Sequence, residues 1–471
     1  MKRIILLIFT IQCCLGVSFG KVRLPAFFSD NMVLQQQTEC KIWGTTDQRK
    51  DIIIITSWDN EEYLAKTDQQ GHFEIKVKTP IAGGPYYIAF SDGEELLVLD
   101  HILIGEVWLC SGQSNMEMLM KGYKAQPVEG ATEELLSCKD DELRLFYAKR
   151  LASLDPQQDL AGSWQAANTA SVREFSATAY FFGKALRKAL GVPIGLICTA
   201  FGGSACEAWM NADWLKAFPK VKQTITEEDV KKLQQRCPTA LYNGQLKPLI
   251  GYGIRGAIWY QGEDNVPRYD FYAPLLSRMI QGWRAEWQQG DFPFYYCQIA
   301  PFDYSVTDWA LYNSALLREQ QAKVETMVDN CRMAVLLDTG IKDVIHPRKK
   351  HIAGERLAIL ALANTYEVKG LPDFATYKEV EFKNDTAVVS FDRSKEWVYF
   401  EHNGTSENFE VAGRDKVFHP ATKVWTNRNR VYVICNEVKA PVAVRYAFKD
   451  WVIGDLMHDG LPVSSFRSDN W

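Results

Sequence analysis

From Ile102 onward, short apolar runs of strand length recur between longer stretches of helical periodicity, and few architectures accommodate that alternation. The runs are 105–110, 194–199, 256–260, 294–299 and 333–337; helical patterns occupy 174–190, 270–288 and 309–328. Strands apolar along their whole length need cover on both faces, and the helices between them supply it. The pattern therefore predicts an α/β unit, a parallel sheet with helices on both faces. In such sheets chemistry sits just beyond the carboxyl ends of the strands, so the polar residues following each run are the ones to examine.

The flanks read differently. Residues 21–101 are β-rich and sandwich-like: 51–57 is β-branched, 73–77 alternates, and Ala82-Gly83-Gly84-Pro85 punctuates the approach to 86–90. The α/β pattern covers 102–371. Strand patterns return over 372–450, at 377–382, 387–391, 398–400 and 431–434, and a turn- and aromatic-rich tail occupies 451–471.

Residues 1–20 carry Lys2 and Arg3, then an apolar stretch, then Ser18 and Gly20 at the −3 and −1 positions of a cleavage site. This is the pattern of a secretory signal, so the chain is expected to be exported, to a periplasm or out of the cell. The apolar stretch is too short to span a bilayer, and no transmembrane helix is expected elsewhere. Losing the two leader bases moves the formal charge from −5 to −7, which leaves no basic footprint for nucleic acid. Eleven cysteines less Cys13 and Cys14 leave nine, an odd number with no CxxC pair. Several stand within apolar runs. They read as buried thiols, with neither a disulfide framework nor a metal site, and no cofactor is expected. Fourteen tryptophans fit a large core and also fit stacking on sugars.

After the first run comes Ser111-Gly112-Gln113-Ser114-Asn115-Met116, a serine on a tight glycine turn between strand and helix. That placement suits a nucleophile whose own N–H points at the reacting oxygen; a helix-capping serine is the plain alternative. The GxSxG elbow matches only residues 16–20, inside the leader. After the second run, Gly202-Gly203 lets backbone approach a substrate, making the Gly203 N–H a candidate oxyanion donor. After the third, Gln261 and Asn265 offer side-chain amides, while Glu263 is a candidate for orienting loops or substrate. Gln113 and Trp259 stand beside these positions as substrate-contact candidates. Of seven histidines, His346 alone follows the last strand and precedes a proline suited to a helix start. A positive helix end would keep it a neutral base, and Asp343 is placed to hold its other nitrogen.

These residues resemble the SGNH (GDSL-like) hydrolases and, within them, the sialate O-acetylesterase family. The resemblance rests on Leu24-Pro25-Ala26-Phe27-Phe28-Ser29-Asp30-Asn31-Met32-Val33-Leu34-Gln35, on the nucleophile block 105–116, on Leu241-Tyr242-Asn243-Gly244 and on block 255–263. Ile345-His346-Pro347 and Gly460-Leu461-Pro462 complete it. It implies a three-layer α/β/α domain with β-rich flanks, the tail returning onto the catalytic domain. It also implies a metal-free serine esterase removing O-acetyl groups from sugars, above all 9-O-acetyl sialic acid, with acetylated xylan or pectin as the alternative. Ser114, His346 and Asp343 would form the triad; Ser114, Gly203, Gln261 and Asn265 supply the oxyanion donors. A sialate carboxylate calls for arginine, and Arg268 and Arg318 are candidates by position. Two departures stand out: Asp343 and His346 are separated by two residues where the family often has one. Gly262-Glu263-Asp264-Asn265 also stands where the family often reads Gly-Glu-Ser-Asn. The rival readings are a glycosidase using Glu263 and Asp264, and a non-catalytic carbohydrate-binding protein.

Overall fold

The computed structural model describes residues 22–47, 50–307, 313–394, 396–401 and 404–471; the expected leader at 1–20 lies outside them. Its centre is a seven-stranded sheet. In chain order the strands are β1 (Leu96–Gly112), β2 (Asp140–Tyr147), β3 (Trp164–Ala167), β4 (Ile194–Ala200), β5 (Gly256–Tyr260), β6 (Phe294–Cys297) and β7 (Cys331–Ala334). Across the sheet they run β7-β6-β5-β1-β4-β2-β3. All neighbours are parallel except β3, which closes one edge antiparallel to β2.

Helices cover both faces. The principal ones are α1 (Ser114–Glu117), α2 (Ala177–Leu190), α3 (Tyr272–Trp287), α4 (Ser314–Val324) and α5 (Lys350–Asn364). Trp108 of β1 packs edge-on against Phe182 of α2, and Trp259 of β5 packs against Trp283 of α3. Trp259 lies level with Ser111, three residues along from Trp108, so the two indoles leave the sheet on opposite faces. The three-layer α/β/α arrangement follows from this alternation.

β1 is seventeen residues long, and its burial changes along its length. The first residues alternate with solvent, whereas everything from Ile102 to Gly112 is buried. Its first half pairs antiparallel with Gly83–Ser91 of the N-terminal β unit, and its second half is the middle of the parallel sheet. The expected boundary at 101/102 therefore falls inside one continuous strand, with no linker there. β2 and β3 escape the sequence pattern because β2 opens on charged residues and β3 is only four residues long.

The C-terminal part builds separate antiparallel sheets, among them a three-stranded one of β8 (Val398–Phe400), β9 (Leu456–His458) and Leu461–Pro462. Two hydrogen bonds join residues of the tail to the α/β unit: Gly454 N–H donates to Leu337 O at 3.0 Å, and Ser464 Oγ accepts from Gln298 Nε2 at 2.7 Å. All nine cysteines of residues 22–471 are free and buried, and burial pushes the Cys40 thiol up to about 12. Among the described residues no helix is long and apolar enough to cross a membrane.

Candidate active site

Gly112, Ala200 and Tyr260 lie side by side in register, so β1, β4 and β5 end level and deliver their loops to one place. Gly112 turns the chain with φ +144, and a Cβ there would stand 2.2 Å from the Tyr260 carbonyl oxygen, so only glycine fits. Gln113 is the extended residue before α1, and Ser114 is its first helical residue, not its cap. Ser114 is partly exposed while Asn115, Met116 and Glu117 behind it are buried. Tyr123 Oη donates to Ser114 O at 3.2 Å.

Gly202 presses on this turn: a Cβ would meet Ser114 Cβ at 3.4 Å and Glu117 Oε2 at 2.9 Å. Glu117 explains the closeness. Its carboxylate takes the Gly202 N–H at 2.9 Å, a fork from Arg150, and a weaker bond from Tyr123 Oη at 3.4 Å. One buried carboxylate thus fixes the serine turn to the glycine loop. The Gly203 N–H, with φ +71, has no acceptor among the described residues.

His346 Nδ1 faces Gln126 Oε1 at 2.7 Å, and its ring stands edge-on to Tyr123 at 5.1 Å between centroids. A carboxamide oxygen only accepts, so Nδ1 carries the proton and Nε2 keeps its lone pair. Burial, aided by the Lys350 ammonium, pushes the imidazole down from 6.5 to about 4. Asp343 stands exposed on a turn, and among the described residues the hydrogen bond to the His346 ring comes from Gln126, with none from Asp343. Pro347 does not open the helix either. α5 begins at Lys350, so burial and a neighbouring ammonium, with no part for a helix end at Pro347, keep His346 neutral.

Asn115 clasps the three loops together. Its Nδ2 donates to Glu263 Oε1 at 2.5 Å and to Ile345 O, beside His346, at 3.2 Å; its Oδ1 accepts from Lys350 Nζ. Lys350 is 1% exposed and sits 5.6 Å over the Tyr260 ring. Burial pushes it down to about 7, against the partial support of Glu263. Burial likewise pushes Glu263 upward, and its Oε2 is buried without a partner. Glu263 is therefore a spine of the site, shielded from any substrate.

The other expected residues separate by what their atoms already do. Gln261 Nε2 spends both hydrogens, on Ser204 O at 3.0 Å and Asn265 Oδ1 at 2.7 Å, which leaves no N–H for an oxyanion. Asn265 Nδ2 gives one hydrogen to Glu207 at 2.9 Å and retains the other. Gln113 Oε1 caps the N–H groups of Gly262 and Asp264, holding the β5 loop. Trp259 is fully buried and cannot stack on a sugar. Arg268 is partly exposed and pairs with Glu207 and Asp264, beside Arg236, which also binds Asp264. Arg318 is 0% exposed; it holds Ser465 Oγ, Ser314 Oγ, Ala447 O and Lys449 O, out of reach of any solute. Gln126, Tyr123, Glu117, Arg236 and Lys350 were not singled out by the sequence pattern. Only Glu117, three residues after the serine on the same turn, carried a local signal.

A level row of strand ends with a serine on a glycine turn and a histidine loop beside it is compatible with an α/β/α hydrolase of the esterase class. Comparison with known proteins narrows this. Residues 104–352 match the family model described as carbohydrate esterase, sialic acid-specific acetylesterase, and the chain belongs to that family. The solved structure of a carbohydrate acetylesterase from Xanthomonas citri superposes with a TM-score of 0.87 at 33% identity, covering 96% of this chain and 100% of that one. The sialate O-acetylesterase of Mus musculus is 25% identical over 95% of this chain and 93% of its own. That of Homo sapiens is 28% identical over 76% and 73% respectively.

Proposed function

We propose that this esterase works by a serine mechanism. Ser114 Oγ attacks the acetyl carbonyl while His346 Nε2 takes its proton; as the ester C–O bond breaks, that proton passes to the departing sugar oxygen, which leaves as a hydroxyl. Water, activated by His346, then releases acetate from the acyl-serine. The N–H groups of Ser114 and Gly203 would receive the oxyanion, while Asn265, 0% exposed, stands behind the surface they line. Gln126 takes the place foreseen for Asp343, holding the proton on Nδ1 without a charge. The observation that carries the reading is the shared tether: Asn115 and Tyr123 each reach from the Ser114 turn to the His346 loop.

The substrate we propose is an acetylated sugar, 9-O-acetyl sialic acid first, with Arg268 and its neighbour Arg236 nearest to hand for the carboxylate. A plant-polysaccharide acetyl ester is the second reading; the Xanthomonas citri relative is named a carbohydrate acetylesterase, with no particular sugar specified. We also propose export by way of residues 1–20, which amino-terminal sequencing of the mature protein checks.

The test is Ser114→Ala with 4-nitrophenyl acetate, together with mass spectrometry of the wild type after a fluorophosphonate. A folded, inactive variant and a label on Ser114 are expected; full activity in the variant ends the serine reading. Acetate release from O-acetyl sialic acid against acetylated xylan separates the two substrates.

A further inference from the structure

Far from Ser114, a cavity of about 850 Å³ opens between the C-terminal half of α5 and the sheet that holds β8. Lys350, at the other end of α5, lies beneath the active site. At 1.5 Å per residue the cavity is therefore roughly 15–20 Å away along the helix.

β8 is an edge strand, and its alternation is sharp: Val398 and Phe400 point into the core, while Trp397 and Tyr399 point out on one face. Trp397 is 60% exposed and Tyr399 41%, and both line the cavity. Trp397 is the most exposed of the described tryptophans. Tyr399 is held in place, its Oη accepting the Gly460 N–H at 3.2 Å. The floor is apolar, with Ala363, Leu371 and Pro372, and the wall carries the Thr426 hydroxyl and the second N–H of Asn364, whose amide otherwise binds Leu360 O and Arg332. An aromatic pair over an apolar floor with hydroxyl and amide groups at the side matches a pyranose, which has a C–H face and a hydroxyl rim.

The charges choose among sugars. Arg393 is committed to Glu325, and Asp373 to Arg332. Among the described lining residues, the exposed charges left on the rim are the carboxylates of Glu396 and Asp459. An acidic rim repels sialate and uronate and accepts neutral units.

We propose that this cavity is a second carbohydrate-binding site, separate from the centre at Ser114, that takes neutral pyranose chains. It would hold the neutral backbone of an acetylated polysaccharide, the second of the two substrates above, and it stands whether or not Ser114 is the nucleophile.

The experiment uses the full chain, with xylohexaose, cellohexaose and mannohexaose as neutral probes and sialyllactose as the anionic one. Binding is followed by calorimetry and tryptophan fluorescence. At least one neutral probe should bind and quench fluorescence, and sialyllactose should not compete at this site. Trp397→Ala should weaken that binding by about tenfold. The same variant should leave kcat/KM for 4-nitrophenyl acetate unchanged and raise KM for an acetylated polymer without lowering kcat. Thr426→Ala is the second variant and should weaken binding more modestly. Ser114→Ala should bind the neutral probe like the wild type, which keeps this result apart from the esterase reading. Failure of all three neutral probes overturns the proposal, as does undiminished binding in both cavity variants. A Trp397→Ala change that alters only the oligomeric state assigns the patch to self-association and overturns it too.

Discussion

Gln126 Oε1 lies 2.7 Å from His346 Nδ1, so an uncharged amide orients the imidazole from a loop 220 residues earlier in the chain. A carboxylate there would stabilise the imidazolium; a carboxamide fixes the tautomer and leaves the ring hard to protonate. Among the described residues, the charged group that shifts His346 is the Lys350 ammonium, which pushes the same way as burial.

The acid limb of kcat/KM should accordingly fall near pH 4, below the 6.5 of an ordinary imidazole. Gln126→Glu should move that limb upward by roughly one unit, because the new charge favours the protonated ring. Gln126→Ala should lower kcat by about 10²-fold through loss of orientation. A pH–rate profile with 4-nitrophenyl acetate reads both changes.

Lys350 titrates from 10.5 in an ordinary setting to about 7 here, so between those values the unfolded chain binds the proton that the folded chain releases. Its contribution to stability therefore rises with pH across that window. Lys350→Met should flatten the gain in Tm between pH 7 and pH 9. Removing the ammonium should also raise the His346 pKa and shift the acid limb of the rate profile upward. Thermal melts and the pH–rate profile together check the sign.

Arg318→Met should destabilise the protein by about 3 kcal/mol, since several buried carbonyl and hydroxyl partners lose their donor. Among the molecules that remain folded, KM should be unchanged. Chemical denaturation followed by kinetics below the transition separates this tail anchor from a substrate contact.

Gly112→Ala should remove activity and cost about 3 kcal/mol or more, because its Cβ would strike the Tyr260 carbonyl at 2.2 Å in a backbone region that alanine avoids. Expression yield and circular dichroism measure the loss of fold, and residual esterase activity measures the loss of the turn.

The central strands were legible in the sequence because β1, β4, β5 and β6 are buried along the stretch that enters the sheet, which leaves an unbroken apolar run. Ser114 and His346 could be named as candidates because Ser114 follows β1 and His346 follows β7. Their partners were not. Gln126 and Tyr123 stand in an irregular loop after α1 with no periodicity to place them, and an amide next to a histidine has no signature in one dimension. Glu117 and Glu263 were hard to rank because a carboxylate in a sequence reads as surface, whereas here both are buried by neighbours far along the chain. Arg318 misled for the same reason. Its charge suggested a ligand, and the carbonyls of Ala447 and Lys449 that take its hydrogens lie more than 120 residues later.

The seventeen-residue strand that ends at Gly112 makes the protein mechanically indivisible at the place where a domain border would be drawn. A fragment starting at residue 102 would carry the whole reaction loop yet begin in mid-strand, with the antiparallel half of its central rod cut away. Recombination with a relative at that point would need both halves to share one hydrogen-bond register, down to the residue. Any tilt of the N-terminal unit would act on the serine turn as a lever acts on its tip.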